Sequence, residues 1–143
     1  MRMQFRYANA TRPFTIFDME RSTRQRAAIR AVIDTAGRPL SPQEVLNGAR
    51  ETVNAMGMAT VYRNLKLLCD DGSVSVVTLP GDSARYESSG HEHHHHFQCT
   101  NCSRVFDVHA CPGDLDKLAP AGFSVDHHEL TLYGLCKECQ QAG

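Results

Sequence analysis

The densest chemistry in the chain lies between His91 and Cys102, where His93, His94, His95 and His96 stand just ahead of a Cys99-x-x-Cys102 pair. A second pair, Cys136 and Cys139, follows near the C-terminus. Imidazole and thiolate are the usual nitrogen and sulfur ligands of zinc and related metals, and no ordinary apolar core calls for them at this density. The two pairs can supply four thiolates to one tetrahedral Zn²⁺. The 33 residues between the pairs would make such a metal tie the start of a small subdomain to its end. Structural zinc sites are worth roughly 10–16 kcal/mol in apparent terms, against about 5–15 for a whole domain. Stripping this metal is therefore expected to unfold the C-terminal half. Thiol redox chemistry is the rival reading, weakened because neither pair opens a helix in a βαβ context. Cys69 and Cys111 stand alone, and Cys69 reads as core.

Extended backbone gives the histidine run a division of labour. Alternate residues of a strand face opposite sides, so His93 and His95 would look one way and His94 and His96 the other. One strand can thus offer two ligands to each of two sites, with Glu87, Asp114, His127 and His128 available to complete them. An engineered tag, a solvated patch and a catalytic zinc are the alternatives. Tags are usually terminal, HExxH is absent and no Ser/His/Asp order emerges, so hydrolysis finds no support.

These ligands need elements to hold them. Ile29, Val32, Ile33 and Ala36 make an amphipathic stripe, with Thr23 as the expected N-cap and Gly37 as the stop. Arg24, Arg26 and Arg30 point away from it. Residues 1–20 show no period and are expected to form an irregular or partly helical arm. Ser41-Pro42-Gln43-Glu44 opens a second helix with a capping box, and Val45, Leu46 and Ala49 supply its buried face. A third helix is expected from Met58 to Asp70. It buries Val61, Leu65 and Leu68 and exposes Thr60, Tyr62, Arg63, Asn64 and Lys66. Two β-prone segments around Pro80-Gly81-Asp82 then read as a hairpin. Three short helices and a hairpin are the winged-helix order, which sets the third helix in a DNA major groove. A small helical domain that binds protein is the alternative. Ser88-Ser89-Gly90 reads as a linker, followed by strands over 92–99, 104–108 and 123–133 and a short helix over 112–118.

At 143 residues the chain has room for one domain or two small ones, and 41% apolar content supports a folded protein. No apolar run is long enough to span a bilayer, and no signal peptide is apparent, so a cytoplasmic location is expected. In that reducing compartment Cys-x-x-Cys pairs read as metal ligands before disulfides. Residues 1–88 carry 12 Lys+Arg against 9 Asp+Glu, whereas residues 89–143 carry 3 against 7 and all eight histidines. A basic half joined to an acidic, ligand-rich half suits polyanion binding coupled to metal binding.

Several motifs in order resemble the ferric uptake regulator family of metal-dependent repressors. They are Thr23-x-Gln25-Arg26-x-x-Ile29, Ala59-Thr60-Val61-Tyr62-Arg63-x-Leu65, Arg85-Tyr86-Glu87, the histidine run before Cys99-x-x-Cys102, and His128 with Tyr133-Gly134-x-Cys136. The resemblance implies an α+β fold: a winged-helix DNA-binding domain over 1–88, with residues 1–20 as an arm, and a small α/β metal-binding dimerisation domain over 89–143. It implies structural zinc on Cys99, Cys102, Cys136 and Cys139, a hinge sensory site on Glu87, His94 and His96, and a second site on His93, His95, Asp114 and His128. Thr60, Tyr62, Arg63, Lys66 and Arg24 would meet DNA. Two positions depart from the family's pattern. Pro39 stands where many iron- and peroxide-sensing members place a hinge histidine, leaving His91 and Cys69 as candidate fourth ligands. His95 stands where those members usually have Asp, which softens the site toward Zn²⁺ and away from Mn²⁺ or Fe²⁺. The four-histidine run is most similar to the zinc uptake regulator branch. The expectation is a zinc-responsive repressor of metal-uptake genes that binds double-stranded operator DNA as a homodimer and needs no small organic ligand. An iron- or peroxide-sensing repressor of the same family is the alternative, with a zinc-dependent enzyme or zinc-storage protein as the alternative of another class.

Overall fold

Helix α1 spans Ile16–Ala36, beginning well before the expected start at Thr23. The structure is a computed structural model, and it describes residues 12–143. The expected arm at residues 1–11 lies outside these residues. Residues 16–20, also assigned to the arm, are helical. Local capping explains the early start: Thr15 accepts from the Asp18 N–H while the Asp18 carboxylate accepts from the Thr15 N–H at 3.0 Å. Thr23 instead sits inside the helix, its hydroxyl donating to the Met19 carbonyl at 2.9 Å. Among the described residues this first part of α1 buries no apolar side chain. Phe14, Ile16 and Phe17 are each more than 70% exposed.

The rest of α1 buries Gln25, Ala28, Ile29 and Ile33, with Val32 and Ala36 packed at the margin. Helix α2, Pro42–Arg50, carries the expected Ser41–Glu44 capping box and buries Val45, Leu46 and Ala49. It approaches α1 closely at Gly48, where an added Cβ would lie 2.8 Å from a Val32 methyl. Helix α3, Met58–Asp70, adds Val61, Leu65 and Leu68 to the same core. Fully burying each such side chain contributes about 1.5–3 kcal/mol, so Leu65→Ala should cost roughly 2–5 kcal/mol.

Strands β1, Val74–Val77, and β2, Arg85–Ser88, pair antiparallel as the hairpin, with Glu87 opposite Ser75. Leu40 bridges Tyr86 through two backbone hydrogen bonds of 2.8 Å, pinning the wing to the α1–α2 connection. The second sheet has the order β4-β3-β5. Central β3, His95–Cys99, runs antiparallel to β4, Val105–Val108, and parallel to β5, Thr131–Gly134. The strand expected over 123–133 shrinks to β5, because only Thr131–Gly134 finds a partner; the apolar alternation before it leaves Phe123 72% exposed. The short helix expected over 112–118 is a 3₁₀ turn at Leu115–Leu118, and a further helix, α4, spans Lys137–Gln141.

The wing packs against this sheet. Val77 and Leu79 bury together with Val105. The Arg85 guanidinium donates to the Ser103 carbonyl at 2.7 Å and faces Glu44 at 3.4 Å, and Arg38 pairs with Glu44 at 2.7 Å while lying over the Phe106 ring. Among the described residues no helix is long and apolar enough to cross a membrane.

Candidate metal centres and nucleic-acid interface

Three groups of ligand atoms gather along β3, each with its members within 4.8 Å of one another. The first is Cys99, Cys102, Cys136 and Cys139. β3 delivers Cys99, the turn after it delivers Cys102, and the start of α4 delivers the other pair. Cys102 Sγ and Cys136 Sγ lie 3.8 Å apart. A tetrahedral zinc with Zn–S bonds of about 2.3 Å has S···S edges of about 3.8 Å, the length of this edge, and the remaining edges are within 4.8 Å. Backbone N–H groups of Cys102 and Cys136 donate to Cys99 Sγ and draw its pKa down to about 6. Arg104 Nε donates to Cys102 Sγ at 3.2 Å, and the same guanidinium reaches Cys136 Sγ. Four thiolates on Zn²⁺ would carry net negative charge, and Arg104 would offset part of it.

The second group is Glu87, His94, His96 and Asp107, at the seam between wing and sheet. Glu87 comes from β2, the histidines from β3 and its approach, and Asp107 from β4, where it pairs with His96 in the strand register. His94 Nε2 lies 3.2 Å from Glu87 Oε1 and 3.8 Å from Asp107 Oδ1; His96 Nε2 lies 3.9 Å from Glu87 Oε2 and 3.8 Å from Asp107 Oδ1. These side chains are 4–17% exposed. Glu87 Oε2, His94 Nε2, His96 Nε2 and Asp107 Oδ1 are buried without a hydrogen-bond partner. Buried polar atoms are ordinarily satisfied. Four orphans pointing at one spot fit a cation there. The His94 ring is already set for this role, since its Nδ1 lies 2.8 Å from the Glu92 carbonyl and, as the donor, leaves the Nε2 lone pair free. Burial works against a charged His94, but the Glu92 carbonyl and the Glu87 and Asp107 charges outweigh it and raise its pKa. Burial, with Glu87 opposite, raises the pKa of Asp107. A cleft of about 580 Å³ beside this group is lined by Val76, Leu79, Glu87, His96, Leu130 and Tyr133.

The third group, on the opposite side of β3, is His93, His95, His128 and Cys111. His93 Nε2 and Cys111 Sγ each lie 3.2 Å from His128 Nε2. His95 is buried and held by the Leu130 N–H on its Nδ1 at 3.2 Å. Burial and then the facing His93 and His128 rings lower its pKa.

The alternation expected of the histidine run therefore holds in space, with His93 and His95 on one side and His94 and His96 on the other. Asp114 does not join the third group; it pairs with Lys117 at 2.6 Å, and Cys111 stands in its place. Neither His91 nor Cys69 joins the second. His91 is exposed, Cys69 packs against the helical core, and Pro39 is fully buried. Asp107 supplies the fourth group, and sequence reading missed it. Its signal was present, because Asp107 lies in the strand expected beside the histidine run.

On α3, Tyr62, Arg63 and Lys66 are exposed and Thr60 partly so. The Arg63 guanidinium reaches Thr60 Oγ1 at 3.4 Å, and Lys66 pairs with Asp70 at 2.8 Å. Inside the helix, buried Asn64 donates to the Thr60 carbonyl and accepts from Arg26, tying α3 to α1. Arg24 is exposed on α1, in a shallow depression shared with Phe17 and residues 52–55.

The sequence matches the Ferric uptake regulator family over residues 19–133. The chain belongs to this family. The peroxide-responsive repressor of Staphylococcus epidermidis is 33% identical over 127 residues, covering 86% of this chain and 83% of its own length. Among solved structures, the Helicobacter pylori ferric uptake regulator, described with three functional metal binding sites, superposes with a TM-score of 0.62 at 25% identity over 87% of each chain. The Francisella tularensis ferric uptake regulator with iron gives 0.64 at 26% identity, covering 81% of this chain and 91% of its own. The winged-helix and dimerisation architecture is thus that of ferric uptake regulators, whose members are metal-binding transcriptional regulators rather than enzymes. Within the family this chain is a metal-responsive, DNA-binding repressor.

Proposed function

We propose that this protein is a zinc-responsive transcriptional repressor, acting in the cytoplasm, which binds double-stranded operator DNA as a metal-loaded homodimer and controls metal-uptake genes. The observation that carries the reading is the convergence of orphaned buried atoms from Glu87, His94, His96 and Asp107 at the seam between wing and sheet. A divalent cation there would supply the positive charge that these carboxylates and imidazoles need to stay together. Glu87 rides on the wing strand and the other three on the sheet domain, so their joint ligation fixes the angle at which α3 is presented. Tyr62, Arg63 and Thr60 would then meet a major groove, and a second copy would present the same helix to the next one. Edge strand β5 and the following turn expose Leu132, Tyr133 and Leu135, which suits the homodimer. Shifting an open state from 1:99 to 99:1 requires a closed-state preference of roughly 10⁴-fold, about 5.5 kcal/mol.

Zinc as the sensed metal is supported by the imidazole and thiol content of the inner group, where His95 replaces the carboxylate of the family's iron-sensing pattern. A specific observation favours a second reading. The seam carries two carboxylates, Glu87 and Asp107, which also suit Fe²⁺ or Mn²⁺, and the Staphylococcus epidermidis relative is peroxide-responsive. A gel shift on promoter DNA at buffered free Zn²⁺, Fe²⁺ and Mn²⁺ tests both, with zinc expected to drive binding at the lowest free concentration. Binding driven by Fe²⁺ alone, with oxygen added to the His93–His96 peptide after peroxide, would establish the second reading. Metal uptake with no DNA response under any ion would point to a zinc enzyme or store.

A further inference from the structure

Cys111 was not placed at any site by its sequence context, yet its Sγ lies 3.2 Å from His128 Nε2 in a group completed by His93 and His95. The side chain is exposed, and no second cysteine belongs to the group. We propose that Cys111 is the fourth ligand of this inner centre, making it a three-imidazole, one-thiolate zinc site that releases its metal when a peroxide oxidises that thiolate.

The chemistry follows from the surroundings of the sulfur. Ligation keeps a thiol deprotonated, and the thiolate is the nucleophile. The cysteines of the Cys99 group are guarded differently. Cys99 is buried and accepts backbone N–H groups, and Arg104 donates to Cys102 and Cys136. Among the described residues Cys111 Sγ accepts only the Gly113 N–H, at 3.4 Å, besides facing His128. With hydrogen peroxide as oxidant, the Cys111 sulfur attacks one peroxide oxygen. An S–O bond forms as the O–O bond breaks, and the electron pair leaves with hydroxide, which takes a proton from solvent. The sulfur is oxidised by two electrons to a sulfenic acid that keeps one peroxide oxygen, and the other oxygen ends as one water. Losing the thiolate leaves three neutral imidazoles, a weaker set for zinc. With no second cysteine in the group to form a disulfide, an external thiol must restore the ligand.

The proposal rests on the repressor reading only for its effect on DNA, so its tests contain no DNA. Zinc-independent operator binding would sink the repressor reading and leave this one standing. Full-length protein with zinc in the four-cysteine site is first titrated with Co²⁺. The wild type should gain near-ultraviolet thiolate-to-cobalt absorption, and Cys111→Ser should lose it. An unchanged spectrum in the variant overturns the ligand assignment. Zinc-loaded protein is then treated with limiting hydrogen peroxide, reading released metal with a chromogenic chelator and the oxidised peptide by mass spectrometry. The expected result is one added oxygen on the Cys111 peptide with release of the inner zinc. Cys111→Asp, which keeps a ligand without a sulfur, should hold zinc and lose the release. Equal release from Cys111→Asp, or first oxidation at Cys99, Cys102, Cys136 or Cys139, overturns the proposal.

Discussion

Replacing Asp107 with Asn separates the metal-free fold from the metal-loaded switch. The Asp107 side chain is 4% exposed, and its Oδ1 lies 3.8 Å from the Nε2 atoms of both His94 and His96. Asn is nearly isosteric, so the change removes a charge and a ligand without opening a cavity. Burial, and then the Glu87 charge, raise the pKa of Asp107, so its charge is disfavoured in the metal-free site even though, against burial, His96 and His94 hold the Glu87 carboxyl below its ordinary value. Asp107→Asn should leave the metal-free melting temperature unchanged or raise it. With metal the sign reverses. Disturbing a group that merely supports a ligand costs 10–100-fold in affinity, so losing a direct ligand is expected to cost at least about 100-fold, ~2.7 kcal/mol. Asp107 shares the sheet with His94 and His96, so its loss weakens metal binding in the open and closed forms alike and leaves the ~10⁴-fold closed-state preference, which depends on Glu87 of the wing, in place. Fluorescence anisotropy on operator DNA, titrated with buffered zinc, should therefore show a midpoint raised about 100-fold with operator affinity at saturation unchanged. An unmoved zinc midpoint in a folded variant would refute Asp107 as a ligand.

Cys102→Ser is expected to lose both the zinc and the fold of residues 89–143, with the loss of ordered signal read by circular dichroism beside a metal count. Retention of folded sheet without zinc would remove the structural role. Arg63→Ala should cost about 1–3 kcal/mol of operator affinity if it contacts a base, relaxing one position, or weaken all sequences and flatten the salt slope if it contacts phosphate. Unaltered binding would show that α3 is not the reading helix. At Glu44, burial raises the pKa, but Arg38, the Ser41 N–H and Arg85 together lower it below the ordinary 4.5. A depressed folded pKa means that its stabilisation is complete above the ordinary 4.5 and is lost as the pH falls from there through the lower, folded pKa. Glu44→Gln should thus be less stable than the parent at neutral pH by about 1.5–3 kcal/mol, with the gap closing on acidification in urea titrations. A gap that persists in acid would assign the loss to packing.

The parts of this molecule governed by short-range rules were readable from residue order. Ser41 to Glu44 spell a capping box, Val61, Leu65 and Leu68 spell a buried face, and the histidine run divides by the period of a strand. Features set by long-range neighbours were hidden. α1 begins early because Thr15 and Asp18 close a cap, although no described residue buries Ile16 or Phe17, so hydrophobic periodicity had no signal to report. Asp107 and Asp114 are both acidic residues after the histidine run. Only the β3–β4 register, with His96 opposite Asp107, selects the first and leaves the second to Lys117. Cys111 reads as a stray thiol until the chain after residue 126 folds back and brings His128 beside it.

Glu87 sits in the wing strand, one residue from the Tyr86 that Leu40 clamps, so in the proposed repressor one short piece of backbone would answer to two ligands, a metal ion and a nucleic acid. Linkage runs both ways. Whatever factor by which the ion tightens the grip on operator DNA, the DNA must tighten the grip on the ion. A repressor seated on its operator would therefore surrender metal more reluctantly than one free in solution. Derepression would then begin at a lower free metal concentration than the isolated protein's affinity implies, giving each promoter its own threshold according to how tightly it is bound.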